Sequence, residues 1–193
     1  MALPSRNPGE KESAIFEATL DLVAAHGFQG TTMSQIARKA NIAVGTTYLY
    51  FPSKEDLISA LYVEVKGRIA RAAVTQPRPD EPVREGLKSI FGAVVRYAVE
   101  HPRELSFAAQ CENSPFVNTA SREAGLDLAR PLLDLFERAR EQGQLKPLSV
   151  EVLSAIVSGA VMSLARLHLA AGTRPSDAEL DVELDAVCDA ILA

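Results

Sequence analysis

The chain has 193 residues, of which 47% are hydrophobic and 6% aromatic, so it is long enough to bury a sizeable core. This aliphatic composition favours a helix-rich, all-α fold. The net charge of −5 argues at first against a polyanionic partner. Residues 1–54, however, carry five Lys or Arg and four Asp or Glu, a net charge of +1, whereas residues 55–193 carry fifteen against twenty-one, a net charge of −6.

The first residues contain no apolar stretch of the kind found in secretory leaders, so we expect a cytoplasmic protein. Cys111 and Cys188 fit reduced thiols in that compartment, and no C-x-x-C pair is present. His26, His101 and His168 are isolated in the sequence, so we expect no metal and no cofactor. The sequence contains no nucleophile spaced to act with a base and no pair of carboxylates spaced for acid–base catalysis. We therefore expect no catalytic residues and no enzyme.

The first predicted helix covers residues 9–26 and stops at Gly27. Thr32 and Gln35 then form a T-x-x-Q capping box, in which each side chain satisfies a backbone N–H group at a helix start. The second helix therefore begins just after Thr32. Asn41 follows where the chain must turn, since asparagine tolerates a left-handed backbone.

A short third helix is predicted from 44 to 51, because Pro52 biases Phe51 away from helical geometry. Ser53 caps a fourth helix, 53–74, which at 1.5 Å per residue is roughly 30 Å long and can join two domains. Two helices joined by a tight turn predict a helix-turn-helix, whose second helix is sized to enter a DNA major groove.

The rest of the chain continues as helices. Three prolines in residues 75–82 break the fourth helix, and Gly143 and Pro147 close a later one. Further helices are predicted at residues 83–100, 104–111, 117–142 and 149–171 and in the apolar stripe that ends at Ile191. The expected total is about nine helices.

The helix at 149–171 is apolar on nearly every side and must be covered all round. A membrane span competes with this interpretation, but only about 14 residues precede Arg166, short of the roughly 20 that a bilayer needs. The simplest cover is the same helix of a second subunit, which Gly159 would allow to approach closely. The homodimer interface predicted on the last two helices comprises Val157, Val161, Leu164, Leu184, Val187, Cys188 and Ile191.

Residues 15–61 carry HGF, TT, IA and then G-T-x-Y-x-Y-F-x-S-K-E-x-L in that order. This long ordered pattern resembles the TetR family of bacterial transcriptional repressors and is far more specific than a lone short motif. The resemblance implies an N-terminal helix-turn-helix DNA-binding domain at 9–53 that continues into the linking helix. It also implies a C-terminal effector-binding and dimerisation domain at 75–193, which matches the family only in helical character and length.

By this resemblance, the residues that would contact phosphates are Thr32, Tyr48, Tyr50 and Lys54. The positions where family members read bases are Ser34, Val44, Gly45, Thr46, Thr47 and Leu49. Valine and the threonine methyl groups suit thymine methyl groups, so part of the reading is expected to be apolar. Two alternatives stay open: Tyr48 serves mainly in packing, and Thr47 or Leu49 faces the three-helix core or solvent. Ile42 and Phe51 are assigned to the core.

Ala43 and Val44 depart from the family pattern, which usually has a serine-like cap followed by a basic or polar residue. A cap hydroxyl and a possible charge contact are therefore missing. Replacing such a cap by alanine typically costs about 1 kcal/mol, so the recognition helix should depend more on the packing of Ile42 and Phe51.

The resemblance implies a ligand-responsive regulator, most simply a repressor that binds a palindromic double-stranded DNA operator as a homodimer. An unknown small-molecule effector would release it by changing the spacing of the two recognition helices. The candidate effector-binding residues combine apolar bulk with a few polar groups: Tyr97, Phe107, Cys111, Asn113, Phe116, Met162, Arg166 and His168. Any of these could equally be ordinary core or surface. A non-regulatory or architectural DNA-binding protein and a transcriptional activator remain alternatives.

Overall fold

The computed structural model of the chain describes residues 8–73, 81–111 and 114–193. These residues form ten α-helices, which confirms the all-α fold class. In chain order the helices are α1 (Pro8–His26), α2 (Met33–Ala40), α3 (Val44–Tyr50), α4 (Lys54–Ala73), α5 (Val83–Glu100), α6 (Pro102–Cys111), α7 (Thr119–Leu128), α8 (Arg130–Glu141), α9 (Val150–Ala171) and α10 (Asp177–Ile191). Most of the proline-rich break predicted at 75–82 lies outside the described residues.

One predicted helix is wrong. The sequence predicted a single helix over 117–142, but the structure has α7 and α8, separated at Ala129 with φ −88° and ψ 7°. Pro131 explains the break, because proline lacks the N–H group that would bond four residues back and its ring clashes with the preceding turn. In the first turn of α8 the same residue is tolerated. This break accounts for the tenth helix.

The chain divides into two compact units, and the first comprises Met1–Val65 and Arg103–Gly125. It therefore groups α6 with the N-terminal helices. Its core is built from fully buried apolar side chains, among them Ile15, Leu20, Ile36, Leu57, Leu61 and Phe107. Fully burying one such side chain stabilises the fold by about 1.5–3 kcal/mol, so these residues hold the helix-turn-helix in place.

The connection between α1 and α2 depends on two glycines. Gly27 has φ +68°, a left-handed conformation that ends α1 as the sequence predicted. At Gly30 a Cβ atom would lie 2.4 Å from the carbonyl oxygen of His26, so no larger residue fits without a backbone shift. The turn that delivers the chain to α2 is therefore fixed by its sequence.

The second unit comprises Lys66–Pro102 and Leu126–Ala193. In it, α5 packs against α8, α9 and α10. Its core side chains include Leu87, Phe91, Val95, Phe136, Leu153 and Leu180. Leu87, Phe91 and Val95 of α5 are buried, whereas Val94 is only half-buried.

Ion pairs at intervals of four residues join α5 to α10. Lys88 Nζ lies 2.6 Å from Asp181 and 3.0 Å from Asp185. Arg84 pairs with Asp185 and Asp189 at 3.3 and 2.7 Å, and Arg96 pairs with Asp177. Because rising numbers on α5 meet falling numbers on α10, the two helices run antiparallel. We call this set of contacts the ion-pair ladder.

Helix α9 is covered by its own chain on one side only. Ser149 caps its start and Gly172, at φ +65°, ends it. Its buried residues are Leu153, Val157, Val161, Ala165 and His168, while Val152 and Leu167 on other sides are exposed. Within the described residues, α9 is also the one helix with the length and apolar composition of a membrane span.

Candidate DNA-recognition surface

The start of α2 is built as the sequence predicted. Thr32 N–H donates to Gln35 Oε1 at 2.8 Å, and Gln35 N–H donates to Thr32 Oγ1 at 3.3 Å, which completes the capping box. The N–H groups of Met33 and Ser34 then have no partner within the helix, as at any helix start. Thr32 and Ser34 are both exposed, so this helix end is available to a phosphate group.

The turn between α2 and α3 is held by backbone hydrogen bonds. Asn41 has φ 55° and ψ 48°, the left-handed conformation expected from the sequence, and it is the only non-glycine residue with positive φ in the described part of the chain. The N–H group of Ile42 donates to the carbonyl of Ala37 at 2.9 Å. These contacts fix the direction in which α3 leaves α2, which is what a helix-turn-helix requires.

Helix α3 begins without a side-chain cap, since Ala43 at its N-cap position makes no capping hydrogen bond. Its C-terminal end is anchored instead by Phe51, which is buried and whose ring centroid lies 5.4 Å from that of Phe16. The core assignment of Phe51 is confirmed, whereas Ile42 is only half-buried.

For Thr47 the structure favours the alternative that the sequence left open, a place in the three-helix core rather than at the bases. Thr47 is completely buried, and its hydroxyl group donates to the carbonyl oxygen of Ala43. It faces the same way as Phe51, one helical turn later, so it belongs to the three-helix core. No base edge can reach this side chain in a folded protein.

The opposite side of α3 is exposed and uncharged. Leu49 is 85% exposed, and Val44, Gly45 and Tyr48 are exposed beside it. The spacing of these four residues, i, i+1, i+4 and i+5, places them on one side of the helix. We call them the α3 outer face. Thr46 and Tyr50 lie outside this face and are half-buried.

Lys54 does not point freely toward solvent. Its Nζ donates to the carbonyl oxygens of Phe28 and Thr31, at 3.0 and 3.2 Å, and lies 5.0 Å from the centroid of the Phe116 ring. Two of its three donors are thus used within the protein. Lys54 therefore ties the start of α4 to the turn after α1, and its phosphate contact stays a prediction.

Asp21 organises the charges beside the helix-turn-helix. Lys39 Nζ lies 2.9 Å from Asp21, which also accepts a hydrogen bond from Arg103. The Lys39 hydrogen bond is the largest cause that lowers the pKa of Asp21 below its ordinary value. Arg38, which the sequence reasoning did not select, is exposed and forms no ion pair within the described residues, so its charge is available to DNA.

The predicted effector residues fall into both compact units. The first unit contains Phe107, Cys111 and Phe116, and the second contains Tyr97, Met162, Arg166 and His168. Asn113 lies outside the described residues. Each ring nitrogen of His168 has a partner, Nε2 at 3.1 Å from Glu183 and Nδ1 at 3.3 Å from Thr173. Arg166 is exposed, and Phe107 and Cys111 are fully buried.

Six of the seven predicted interface residues are corrected to core. The structure buries Val157, Val161, Leu184, Val187, Cys188 and Ile191 within their own chain. They therefore offer little surface to a second subunit, and the seventh, Leu164, is half-buried. Burial raises the pKa of the Cys188 thiol to about 11, which keeps it protonated and unreactive near neutral pH.

No group of three or more His, Cys, Asp or Glu residues is arranged to hold a metal ion in the part of the chain that the structure describes.

Two protein families match the sequence. Residues 15–61 match the family described as bacterial regulatory proteins, tetR family. Residues 69–192 match the family described as tetracyclin repressor-like, C-terminal domain. The second match alone covers more than half of the chain.

Individual relatives agree with these matches. The chain is 34% identical to the HTH-type transcriptional repressor KstR of Rhodococcus jostii, over 71% of this chain and 63% of that protein. It is 26% identical to the fatty acid metabolism regulator protein of Bacillus subtilis, over 83% of this chain and 75% of that protein. A crystal structure of a TetR family transcription regulator from Marinobacter aquaeolei has the same fold, with a TM-score of 0.86 at 24% identity, over 95% of this chain and 96% of that one.

Proposed function

Because the chain belongs to the TetR family of bacterial regulatory proteins, and is a DNA-binding transcription regulator rather than an enzyme, we propose that it represses transcription from a palindromic operator as a cytoplasmic homodimer. A small-molecule effector bound by the C-terminal domain releases it from DNA. The observation that carries this proposal is the capped helix-turn-helix whose second helix presents the α3 outer face to solvent.

The outward side of α9 and α10 supports dimerisation. Val152 and Leu167 of α9 and Val182 of α10 are large apolar side chains left exposed by their own chain. At Gly159, in the middle of α9, a Cβ atom would meet nothing within 4 Å, so a second helix has room to approach. A two-fold axis brings the same surface of a second copy against this one and covers both. We propose these residues in place of the predicted interface set.

Dimerisation matters because one helix-turn-helix contributes few charges. Among its cations, Lys39 is paired with Asp21 and Lys54 is bonded to backbone carbonyls, which leaves Arg38 as an exposed candidate for phosphate contact. Two linked modules bind DNA far more tightly than one, provided that their recognition helices lie one DNA turn apart, about 34–36 Å. Thr32, Tyr48 and Tyr50 are proposed to position each module on phosphates.

The release step requires two states that bind the effector differently. A ligand that binds more tightly to a dimer with the wrong helix spacing lowers operator affinity by its differential binding energy. A helix such as α4, which begins at Lys54 beside the helix-turn-helix and continues to Ala73, can transmit such a change. Because one relative is named for regulating fatty acid metabolism, palmitate and palmitoyl-CoA are the first effector probes.

Footprinting on the DNA upstream of the protein's own coding sequence tests operator binding. The proposal expects protection of one short inverted repeat, with preference over scrambled DNA of equal composition. Uniform binding without such preference would indicate an architectural protein and would refute the proposal. A transcription assay on the protected site then separates repression from activation by the sign of the effect.

The effector step has a separate test. Calorimetry on the DNA-free protein first gives the concentration at which each probe saturates it. Operator affinity is then measured by fluorescence anisotropy at that concentration. Weaker operator binding by the saturated protein supports release. Saturation that leaves operator affinity unchanged counts against release by that compound class, while operator binding itself stands.

A further inference from the structure

The recognition helix lacks the side chains with which proteins usually read bases. Residues 44–50, VGTTYLY, contain no Arg, Lys, Asn, Gln, Asp or Glu. Those are the residue types that form paired hydrogen bonds with guanine, adenine or cytosine in the major groove. The hydroxyl group of Thr47 is buried and bonded within the helix. The side-chain groups of this helix that can still form hydrogen bonds with base edges are the hydroxyl groups of Thr46, Tyr48 and Tyr50.

Leu49 dominates the exposed side of the same helix. Its exposed fraction of 85% is the largest of any large hydrophobic side chain in the described residues, ahead of Val182 at 71%. It lies beside Val44 and Tyr48 on the α3 outer face, opposite Thr47 and Phe51, which are buried. The helix therefore presents an apolar surface at the position where a helix-turn-helix meets the groove.

The major groove offers one apolar feature that distinguishes base pairs, the C5 methyl group of thymine. We propose that Leu49 sets operator specificity by packing against a thymine C5 methyl group, so that α3 reads methyl groups more than hydrogen-bonding patterns. This inference rests on the proposed operator binding. It implies that 5-methylcytosine, which carries its methyl group at the same ring position, is also accepted at that site.

The size of the effect follows from the area of one methyl group. Burying a methyl group on binding should tighten the complex about fourfold, and a symmetric operator with one such contact in each half should lose about sixteenfold when both methyl groups are removed. Leu49 carries no charge, so its replacement should leave the salt dependence of binding unchanged. A phosphate contact would behave in the opposite way.

The experiment begins with selection of bound duplexes from a random library by the full-length protein. In the selected half-site each thymine is replaced in turn by deoxyuridine, which differs only by the missing methyl group. At the position that responds, four pairs are compared by fluorescence anisotropy: T·A, U·A, 5-methyl-C·G and C·G. The same series is measured for Leu49→Ala and for Leu126→Ala, a control at another exposed leucine outside α3.

The proposal expects wild-type protein and Leu126→Ala to prefer T over U, and 5-methyl-C over C, by about fourfold per contact. Leu49→Ala should bind both members of each pair equally, with an unchanged salt slope and an unchanged melting temperature. Equal binding of T and U by the wild-type protein overturns the inference but not operator binding. Discrimination that persists in Leu49→Ala overturns the assignment to Leu49. If selection enriches no inverted repeat, both proposals fail.

Discussion

The ammonium group of Lys54 donates a hydrogen bond to the carbonyl oxygen of Phe28 at 3.0 Å, joining the first turn of α4 to the turn that follows α1. The same group reaches the carbonyl of Thr31, so it bridges two backbone positions just ahead of the α2 cap. This single cation thus holds in place the segment that leads into α2. We expect its main role to be holding the module together.

Lys54→Met should destabilise the helix-turn-helix. The methionine keeps the apolar stem but removes the charged donor. A hydrogen bond that involves a charged group contributes about 1.5–3 kcal/mol to stability. We expect a loss of about 2 kcal/mol in the free energy of unfolding by urea. The slope of operator affinity against salt concentration should stay at its wild-type value. Lys39→Met, which removes an exposed ion pair, is the control and should cost less than about 1 kcal/mol. A salt dependence of operator binding that becomes shallower in Lys54→Met would instead support the phosphate contact.

Ala43→Ser should strengthen the recognition helix. Ala43 has the extended backbone of an N-cap residue, with φ −63° and ψ 137°, but no side chain to accept a hydrogen bond from the first turn of α3. A serine supplies that acceptor and should add about 1 kcal/mol to the free energy of unfolding. Ala24→Ser, at an exposed site inside α1, is the control and should be slightly destabilising because serine is the poorer helix former. No gain in either stability or operator affinity would count against the missing-cap explanation.

The ion-pair ladder should make stability depend on pH under acidic conditions. The hydrogen bond from Lys88 is the largest cause that lowers the pKa of Asp185 below its ordinary value of 3.8. Because the folded state favours the ionised carboxylate, this contribution is present above the unfolded pKa and is lost as the pH falls through the lower folded pKa. The melting temperature of the wild-type protein should therefore fall between about pH 5 and pH 2, and less steeply in Asp185→Asn.

Asp127→Asn provides the matched control for that measurement. Asp127 is exposed on α7 and forms no ion pair within the described residues, so its replacement should leave the pH profile of the wild-type protein intact. If Asp185→Asn and Asp127→Asn gave the same profile as the wild-type protein, the ladder would contribute nothing to acid sensitivity.

Gly159→Leu should separate folding from dimerisation. The site is open within the chain, and leucine favours a helix over glycine by roughly 0.5–1 kcal/mol, so the helical circular dichroism of each chain should be preserved. In a dimer packed through α9 the side chain meets the partner helix, and overpacking costs typically about 1–3 kcal/mol. We expect the dimer dissociation constant, measured by analytical ultracentrifugation, to rise at least about tenfold.

Ala120→Leu introduces the same side chain at an exposed position of α7 and should leave the dissociation constant unchanged. A Gly159→Leu protein that dimerises as tightly as the wild-type protein would place the interface elsewhere.

Features set by neighbouring residues could be predicted from the sequence. The capping box of Thr32 and Gln35, the left-handed Asn41 and the end of α1 at Gly27 depend on residues a few positions apart, and all three are confirmed. Helix identity also followed, because apolar spacing reports which side of an element is buried. The break at Ala129 was missed although Pro131 marks it, since the apolar pattern continues across the proline.

Features set by tertiary contacts could not be predicted. The burial of Thr47 depends on where α3 lies against the core, and the bonds of Lys54 reach backbone positions 23 and 26 residues away. The sequence predicted the helix α9 but not which side of it is buried. A helix that is apolar all round carries no periodic signal to separate inner from outer residues. The predicted interface therefore selected side chains such as Val157 and Val161, which lie on the inner side.

The ion-pair ladder does not by itself fix the alignment of α5 and α10. Its acidic residues recur every four positions along α10, so sliding that helix by one turn would re-form most of the same pairs and the charges alone could not reject the slipped arrangement. Apolar packing adds contacts that do not depend on charge: a Cβ atom at Gly92 would lie 3.2 Å from Leu184 Cδ1, so the absence of a side chain there lets α10 pack closely against α5. The alignment of the two helices must therefore come from the apolar contacts between them, of which Gly92 with Leu184 is one.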